Sequence, residues 1–197
     1  DITGAHLEAV ADLLEKQSGR RADLPYGVVA KREYDSIVLW KDHQESAEND
    51  RQEIVISEER LRSCLKKGEL IVIPAGTQGE KFMLHIFQFD GNMGEIPRKM
   101  YTKWFDYDKI KKCPVIRTRK PGDYLTIADG RGGMIHKSLK SYLVDQKIPQ
   151  AERDRLPILA EGEHVLWVVG YRISEYYKVR ENTKRILKVQ LIRKEFA

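Results

Sequence analysis

Residues 165–169 read VLWVV, five large apolar side chains in a row between a charged segment and Gly170. The run is too short for a helix of its own. As a strand it sends apolar residues to both faces, because successive side chains alternate. Such a strand is central in a sheet that is covered on both sides. Two more strands are expected near it, at residues 157–160 and 185–192. In the last of these Leu187, Val189 and Leu191 alternate with Lys188, Gln190 and Arg193, which leaves one side wet.

Charge is distributed as unevenly as hydrophobicity. The chain of 197 residues has a formal net charge of +5. Residues 98–155 hold 15 Lys or Arg against 7 Asp or Glu, whereas residues 1–97 hold 12 against 18. The basicity is therefore local, and a local excess of cations suits a polyanion such as nucleic acid. The split also suggests two portions, residues 1–100 and 101–197, within the size range of one large or two small domains.

The basic stretch runs over residues 115–157. It opens with VIRTR, a strand in which Arg117 and Arg119 lie two apart and share one face, and Pro121, Gly122 and Asp123 then force a turn. Glycines 130, 132 and 133 form a loop whose backbone N–H groups are candidates to approach a phosphate, with Arg131 among them. From Lys137 the spacing predicts a helix to Lys147. Leu139, Tyr142 and Leu143 then share an apolar face, and Lys137, Lys140 and Lys147 share an arc of about 80° beside it. Pro149 opens a second short helix carrying Arg153 and Arg155. Tyr124, Tyr142 and Tyr171 are either stacking surfaces or half-buried core.

Upstream, Leu7, Val10, Leu13 and Leu14 recur at helical spacing between Thr3 and Ser18 and predict an amphipathic helix. Two β-rich runs flank residues 33–36 and predict a hairpin. Residues 41–53 are polar throughout and read as a loop or linker. Ser57 is placed to cap a helix over Leu61, Cys64 and Leu65 that stops at Gly68, with strands to follow at 70–73 and 81–89. The whole predicts an α+β fold in two small subdomains.

Chemistry-bearing motifs are few. There is no GxGxxG after a strand and no GxxxxGK[ST]. Ser63 and Lys66 form an SxxK that lacks its companion SDN and KTG elements and reads as coincidence. Cys64 and Cys113 stand apart with no CxxC, and the five histidines form no HxxxH pair, so neither a disulfide framework nor a zinc site is expected. No apolar run reaches the ~18 residues of a membrane span, and no signal-peptide pattern opens the chain. A cytoplasmic protein without membrane contact is expected. The chain begins at Asp1 directly ahead of a predicted helix, and a piece of something longer is the expectation. The residues alone give a basic module that binds nucleic acid. The alternatives are a protein-interaction or dimerisation module built on strand 185–192 and the acidic first half, and an enzyme with a disguised site.

Five ordered blocks carry a family resemblance: RTRKPGD at 117–123, KSLKSYLVDQK at 137–147, IPQAERDRLPIL at 148–159, WVVGYRIS at 167–174 and KVRENTKRIL at 178–187. Together they resemble the C-terminal domain of bacterial tRNA(Ile)-lysidine synthetases, and the fold this resemblance implies is α+β, with helices packed on an antiparallel or mixed sheet. The stretch SGRRADLPYGVVAKREYDSIVLW at 18–40 looks like the connecting region of the same family. The resemblance implies a parent ligase that adenylates the wobble cytidine of an isoleucine tRNA (CAU anticodon) with ATP and then attaches lysine. That chemistry, with ATP, Mg2+ and L-lysine, belongs to an N-terminal PP-loop domain whose SGGxDS-type loop does not occur here. This stretch is therefore expected to bind tRNA and to hold no cofactor and no catalytic residue. The residues expected to contact tRNA are Arg117, Arg119, Arg131, Lys137, Lys140, Lys147, Arg153, Arg155 and Arg172. Asp123 and Asp154 are expected to fix turns or pair with neighbouring arginines, and Trp167 and Gly170 to serve packing. A homodimer is the assembly left open.

Overall fold

The structure is a computed structural model and describes residues 2–41, 53–75 and 80–193. The polar segment expected to be a linker falls outside the described residues from 42 to 52. Helix α1 (Gly4–Asp12) starts at Thr3, whose N–H donates to His6 Nδ1 at 3.0 Å. The expected apolar stripe is not engaged: no α1 residue is buried and Leu7 is 65% exposed, while only Leu13, beyond the helix end, is covered. The small meander beside it, β1 (Arg21–Leu24), β2 (Val28–Glu33) and β3 (Ser36–Lys41), fully covers only Val29, Ala30 and Lys31 and has little surface to accept a helix. The expected hairpin is β2–β3, closed at the Glu33 and Ser36 pair.

After β4 (Ile54–Val55), α2 (Glu58–Lys67) is delimited as its sequence dictates. Ser57 Oγ accepts from the Arg60 N–H, acidic residues open the first turn, lysines close the last, and Gly68 takes φ +67°. Strands β5 (Ile71–Ala75), β6 (Glu80–Gln88) and β7 (Thr102–Asp106) follow, then β8 (Val115–Arg117), β9 (Tyr124–Ala128) and β10 (Met134–Ser138). The chain ends with α3 (Leu139–Asp145), α4 (Gln150–Arg155), β11 (Ile158–Glu161), β12 (His164–Val168) and β13 (Arg185–Ile192).

Beyond the meander the strands make a four-stranded sheet, β5-β6-β13-β7, and a six-stranded sheet, β10-β9-β12-β11-β8-β4. The pairings are antiparallel apart from β9 with β12, so the six-stranded sheet is mixed and the class is α+β. The VLWVV strand is central and doubly covered, as its composition requires. Leu166 and Trp167 join the core between the two sheets with Phe82, Leu84, Phe105 and Leu187. Val165 and Val168 join a second core under α3 with Leu125, Leu139, Tyr142 and Leu143. Each such buried side chain contributes about 1.5–3 kcal/mol of transfer free energy.

Two expectations are corrected here. The division at residue 100 cuts both sheets, because β6 pairs with β13 along its length and β4 pairs with β8. Charge balance reports on surfaces, whereas sheet pairing follows apolar faces that are distant in sequence. The strand on which the alternative reading built assembly, β13, lies between β6 and β7 and has no free edge to offer a second chain.

Candidate nucleic-acid interface

The centre of the basic stretch is a turn built around a buried ion pair. Pro121 and Gly122 occupy the middle of a tight turn closed by the Asp123 N–H donating to the Lys120 carbonyl at 3.3 Å, and Gly122 takes φ +91°, as a Pro-Gly type II turn requires. The turn aims Asp123 inward. Arg117 grips it with two parallel bonds, Nη1 to Oδ2 at 2.8 Å and Nη2 to Oδ1 at 2.7 Å, and also donates to the carbonyls of Thr118 and Gly162. The two side chains are 5% and 1% exposed. Arg117 is therefore a structural cation whose donors are consumed inside the protein. Its expected contact with tRNA is corrected: β8 ends at Arg117, so it does not share a wet face with Arg119.

Around this anchor lies a groove of about 870 Å³, walled by residues 117–123, by Ser138, Leu139 and Lys140 at the start of α3, and by Asp154 of α4 and Glu53. Arg119 bridges to Asp154 through Nε at 2.9 Å and Nη2 at 2.5 Å, and Lys120 meets Glu53 at 2.5 Å. Both pairs are partly open to solvent. Exposed pairs of this kind contribute about 0–1 kcal/mol, so exchanging the carboxylate for a phosphate costs little. Lys140 is exposed and, among the described residues, forms no ion pair. The groove thus offers three cations within one concavity. Lys120 and Ser138 were not expected there; the turn brings the first, and Ser138 is present because it caps α3 by accepting from the Ser141 N–H at 3.1 Å.

The other expected residues scatter. Lys137 is not helical: it lies on β10, paired with Leu125 of β9, and its ammonium contacts Asp145. Lys147 is past the end of α3 with φ +53°, so the three lysines do not share one helical arc. The helix is shorter than expected because residues 134–138 continue the β-alternation of a hairpin with β9. The hairpin tip holds Arg131, beyond the far end of β10, a strand about 17 Å long at ~3.3 Å per residue. The tip's backbone N–H groups at Arg131 and Gly133 both donate to Asp129 Oδ1 at 2.8 Å, so that loop is closed by its own carboxylate and offers no nest to a phosphate.

Arg153 is turned inward, donating to the Ile148 carbonyl at 2.5 Å and to Tyr34 Oη at 2.9 Å, which ties α4 to the meander. Arg155 is exposed on α4. Arg172 donates to Glu175 at 3.0 Å; burial pushes the Glu175 carboxyl up, but hydrogen bonds from Lys178 and Arg172 outweigh it and hold the group below the usual range. Tyr142 is core, and Tyr171 donates to Glu152 at 2.8 Å. Among the described residues no group of three or more His, Cys, Asp or Glu is placed to hold a metal ion, and no helix is long and apolar enough to cross a membrane.

Comparison with known proteins bears on the same region. Residues 115–191, which include the groove, match the family described as TilS substrate C-terminal domain. The tRNA(Ile)-lysidine synthase of Caldanaerobacter subterraneus subsp. tengcongensis is 34% identical over 192 residues, 94% of this chain and 36% of that protein. That of Dehalococcoides mccartyi is 31% identical over 195 residues, 96% of this chain and 37% of that protein. In Clostridium tetani the likeness is 43% over 94 residues, 48% of this chain. A crystal structure described as the TILS C-terminal domain aligns at 25% identity with TM-score 0.48, covering 64% of this chain and 92% of that one. The chain spans little more than a third of the length of the first two relatives, and it is homologous to the C-terminal part of tRNA(Ile)-lysidine synthase.

Proposed function

We propose that this chain is the tRNA-gripping C-terminal portion of a tRNA(Ile)-lysidine synthase, and that the groove beside the Pro121–Gly122 turn receives the RNA backbone. The observation that carries the reading is the construction of that groove. A rigid buried pair, Arg117 with Asp123, holds a turn whose neighbours Arg119 and Lys120, with Lys140 opposite, present cations at solvent-accessible positions. Backbone recognition needs several modest, positioned cations rather than one deep pocket, because each neutralised phosphate releases counterions. In the parent, ATP, Mg2+ and L-lysine would be handled by a domain other than this one, and the reaction would join lysine to the wobble cytidine of isoleucine tRNA in the cytoplasm.

The test is the salt dependence of tRNA binding by the 197-residue chain. Lys120→Ala with Lys140→Ala is expected to weaken binding several-fold and to flatten the log–log salt slope by roughly 0.9 for each phosphate no longer neutralised. Unchanged affinity and slope in the double variant would remove the groove from the interface.

A further inference from the structure

Four segments bring aromatic rings together on the six-stranded sheet, in a bay distinct from the groove. Tyr124 on β9 stacks on His136 of β10 at 4.5 Å between centroids and on His164 of β12 at 4.6 Å. His164 in turn lies 5.4 Å from Tyr176 and 4.7 Å from Tyr177, both in the 3-10 turn Glu175–Tyr177. The rings line a bay of about 370 Å³ with Lys109, Lys111, Lys112 and Glu161 on its rim. Its floor is fixed, with Tyr177 1% exposed and His164 within hydrogen-bond reach of Thr126 Oγ1 (3.0 Å) and Ser174 Oγ (3.1 Å). Its mouth is open, since His136 is exposed and Tyr176 is 41% exposed.

We propose that this bay takes one unpaired nucleotide of a bound RNA, its base laid on the exposed rings of His136 and Tyr176 and its phosphate beside Lys112. The proposal rests on the reading of the chain as an RNA-binding module and adds a base-contacting site to its phosphate-contacting groove. Size favours a single nucleotide: the volume is at the small end of the roughly 300–1,000 Å³ of small-molecule sites and does not admit a duplex. Chemistry favours a base, because aromatic faces stack on any nucleobase without needing a hydrogen-bond code. Electrostatics do not oppose the phosphate. Glu161, the bay's carboxylate, already accepts from the Lys111 and Lys112 N–H groups and from Tyr177 Oη, so its charge is engaged by the protein. Burial, with His136 nearby, holds the His164 imidazole down at about 4, so the ring beneath the platform is neutral at physiological pH.

The experiment uses the 197-residue chain and a single-stranded RNA trinucleotide with a central 2-aminopurine, whose fluorescence is quenched on stacking, together with tRNA and a short RNA duplex. Wild type is expected to quench the trinucleotide. His136→Ala with Tyr176→Ala is expected to weaken trinucleotide binding about tenfold or more while duplex affinity holds, and Tyr176→Phe, which keeps the ring, to retain quenching. Quenching that survives the double alanine variant, or equal losses for trinucleotide and duplex, would overturn the stacking site. Binding of tRNA by wild type without any quenching would overturn this proposal alone. Failure of wild type to bind any of the three RNAs would overturn the RNA-binding reading and this proposal with it.

Discussion

The groove and the bay meet at neighbouring residues, Asp123 lining the one and Tyr124 the other, yet they are built from opposite materials. The groove is made of charge: three cations on two short elements, held over a buried ion pair. The bay is made of rings from β9, β10, β12 and one turn, and the carboxylate on its lining, Glu161, is occupied by protein donors. One surface suits the sequence-independent backbone of a nucleic acid and the other suits a base removed from its stack. The difference shows how one sheet end can serve both needs. A charged surface tolerates solvent and exchangeable partners, whereas a stacking surface needs a dry and rigid floor.

The largest effect should come from breaking what the groove stands on. Arg117→Ala leaves Asp123 buried without its principal partner, and removing one partner of a buried pair typically costs about 3–5 kcal/mol. Denaturant unfolding should show a loss of that order. A variant of full stability with reduced tRNA affinity would instead return Arg117 to the interface and erase the contrast between anchor and rim. Arg117→Lys should fall between, because an ammonium cannot reproduce the two parallel bonds.

The bay has its own handle, in pH. His164 titrates at about 4 in the folded protein against an ordinary 6.5, chiefly through burial, with His136 adding and Glu161 opposing. A depressed folded pKa means that the unfolded chain binds the proton first. Stability is then fully present above pH 6.5, falls as pH drops from about 6.5 to 4, and is flat below, a loss of roughly 2–3 kcal/mol. Unfolding of wild type and His164→Gln compared across that window isolates the contribution. Parallel pH profiles for the two proteins would show that the floor of the bay is wetter than its packing implies.

The two regions also differ in how far the sequence announces them. Local chemistry was legible: Ser57 and Gly68 delimit α2, Pro121–Gly122 makes the turn, VLWVV takes the centre of a sheet, and Asp123 and Asp154 each pair with an arginine. The hairpin β9–β10 was not, because MIHKS leads directly into a helical pattern and the period changes at Ser138 without a break. A helical period carried through that junction puts Lys137 and Lys147 on one face, where the folded chain does not have them. The bay was illegible for a deeper reason. Tyr124, His136, His164 and Tyr176 have no sequence spacing that means anything: the antiparallel β9–β10 hairpin brings His136 to Tyr124, and the parallel pairing of β9 with β12 brings His164. Residue 100 misled as a boundary for the same reason, since β6 finds its partner in β13 about half a chain's length later.

The smallest expected effect is the most discriminating for the groove, because it predicts opposite signs for two halves of one ion pair. Arg119 and Asp154 are 32% and 52% exposed, so either single change should alter stability by no more than about 1 kcal/mol. For tRNA binding they should diverge. Arg119→Ala removes a cation that a phosphate would use, and affinity should fall with a shallower salt slope. Asp154→Asn removes the carboxylate that competes with that phosphate, and affinity should rise by a modest factor at low salt, with the gain shrinking as salt screens it. Titrations of both variants at two salt concentrations decide the matter. If Asp154→Asn lowers affinity as Arg119→Ala does, the pair acts as a fixed strut for α4 rather than as an exchangeable contact, and the groove's phosphate binding falls to Lys120 and Lys140 alone.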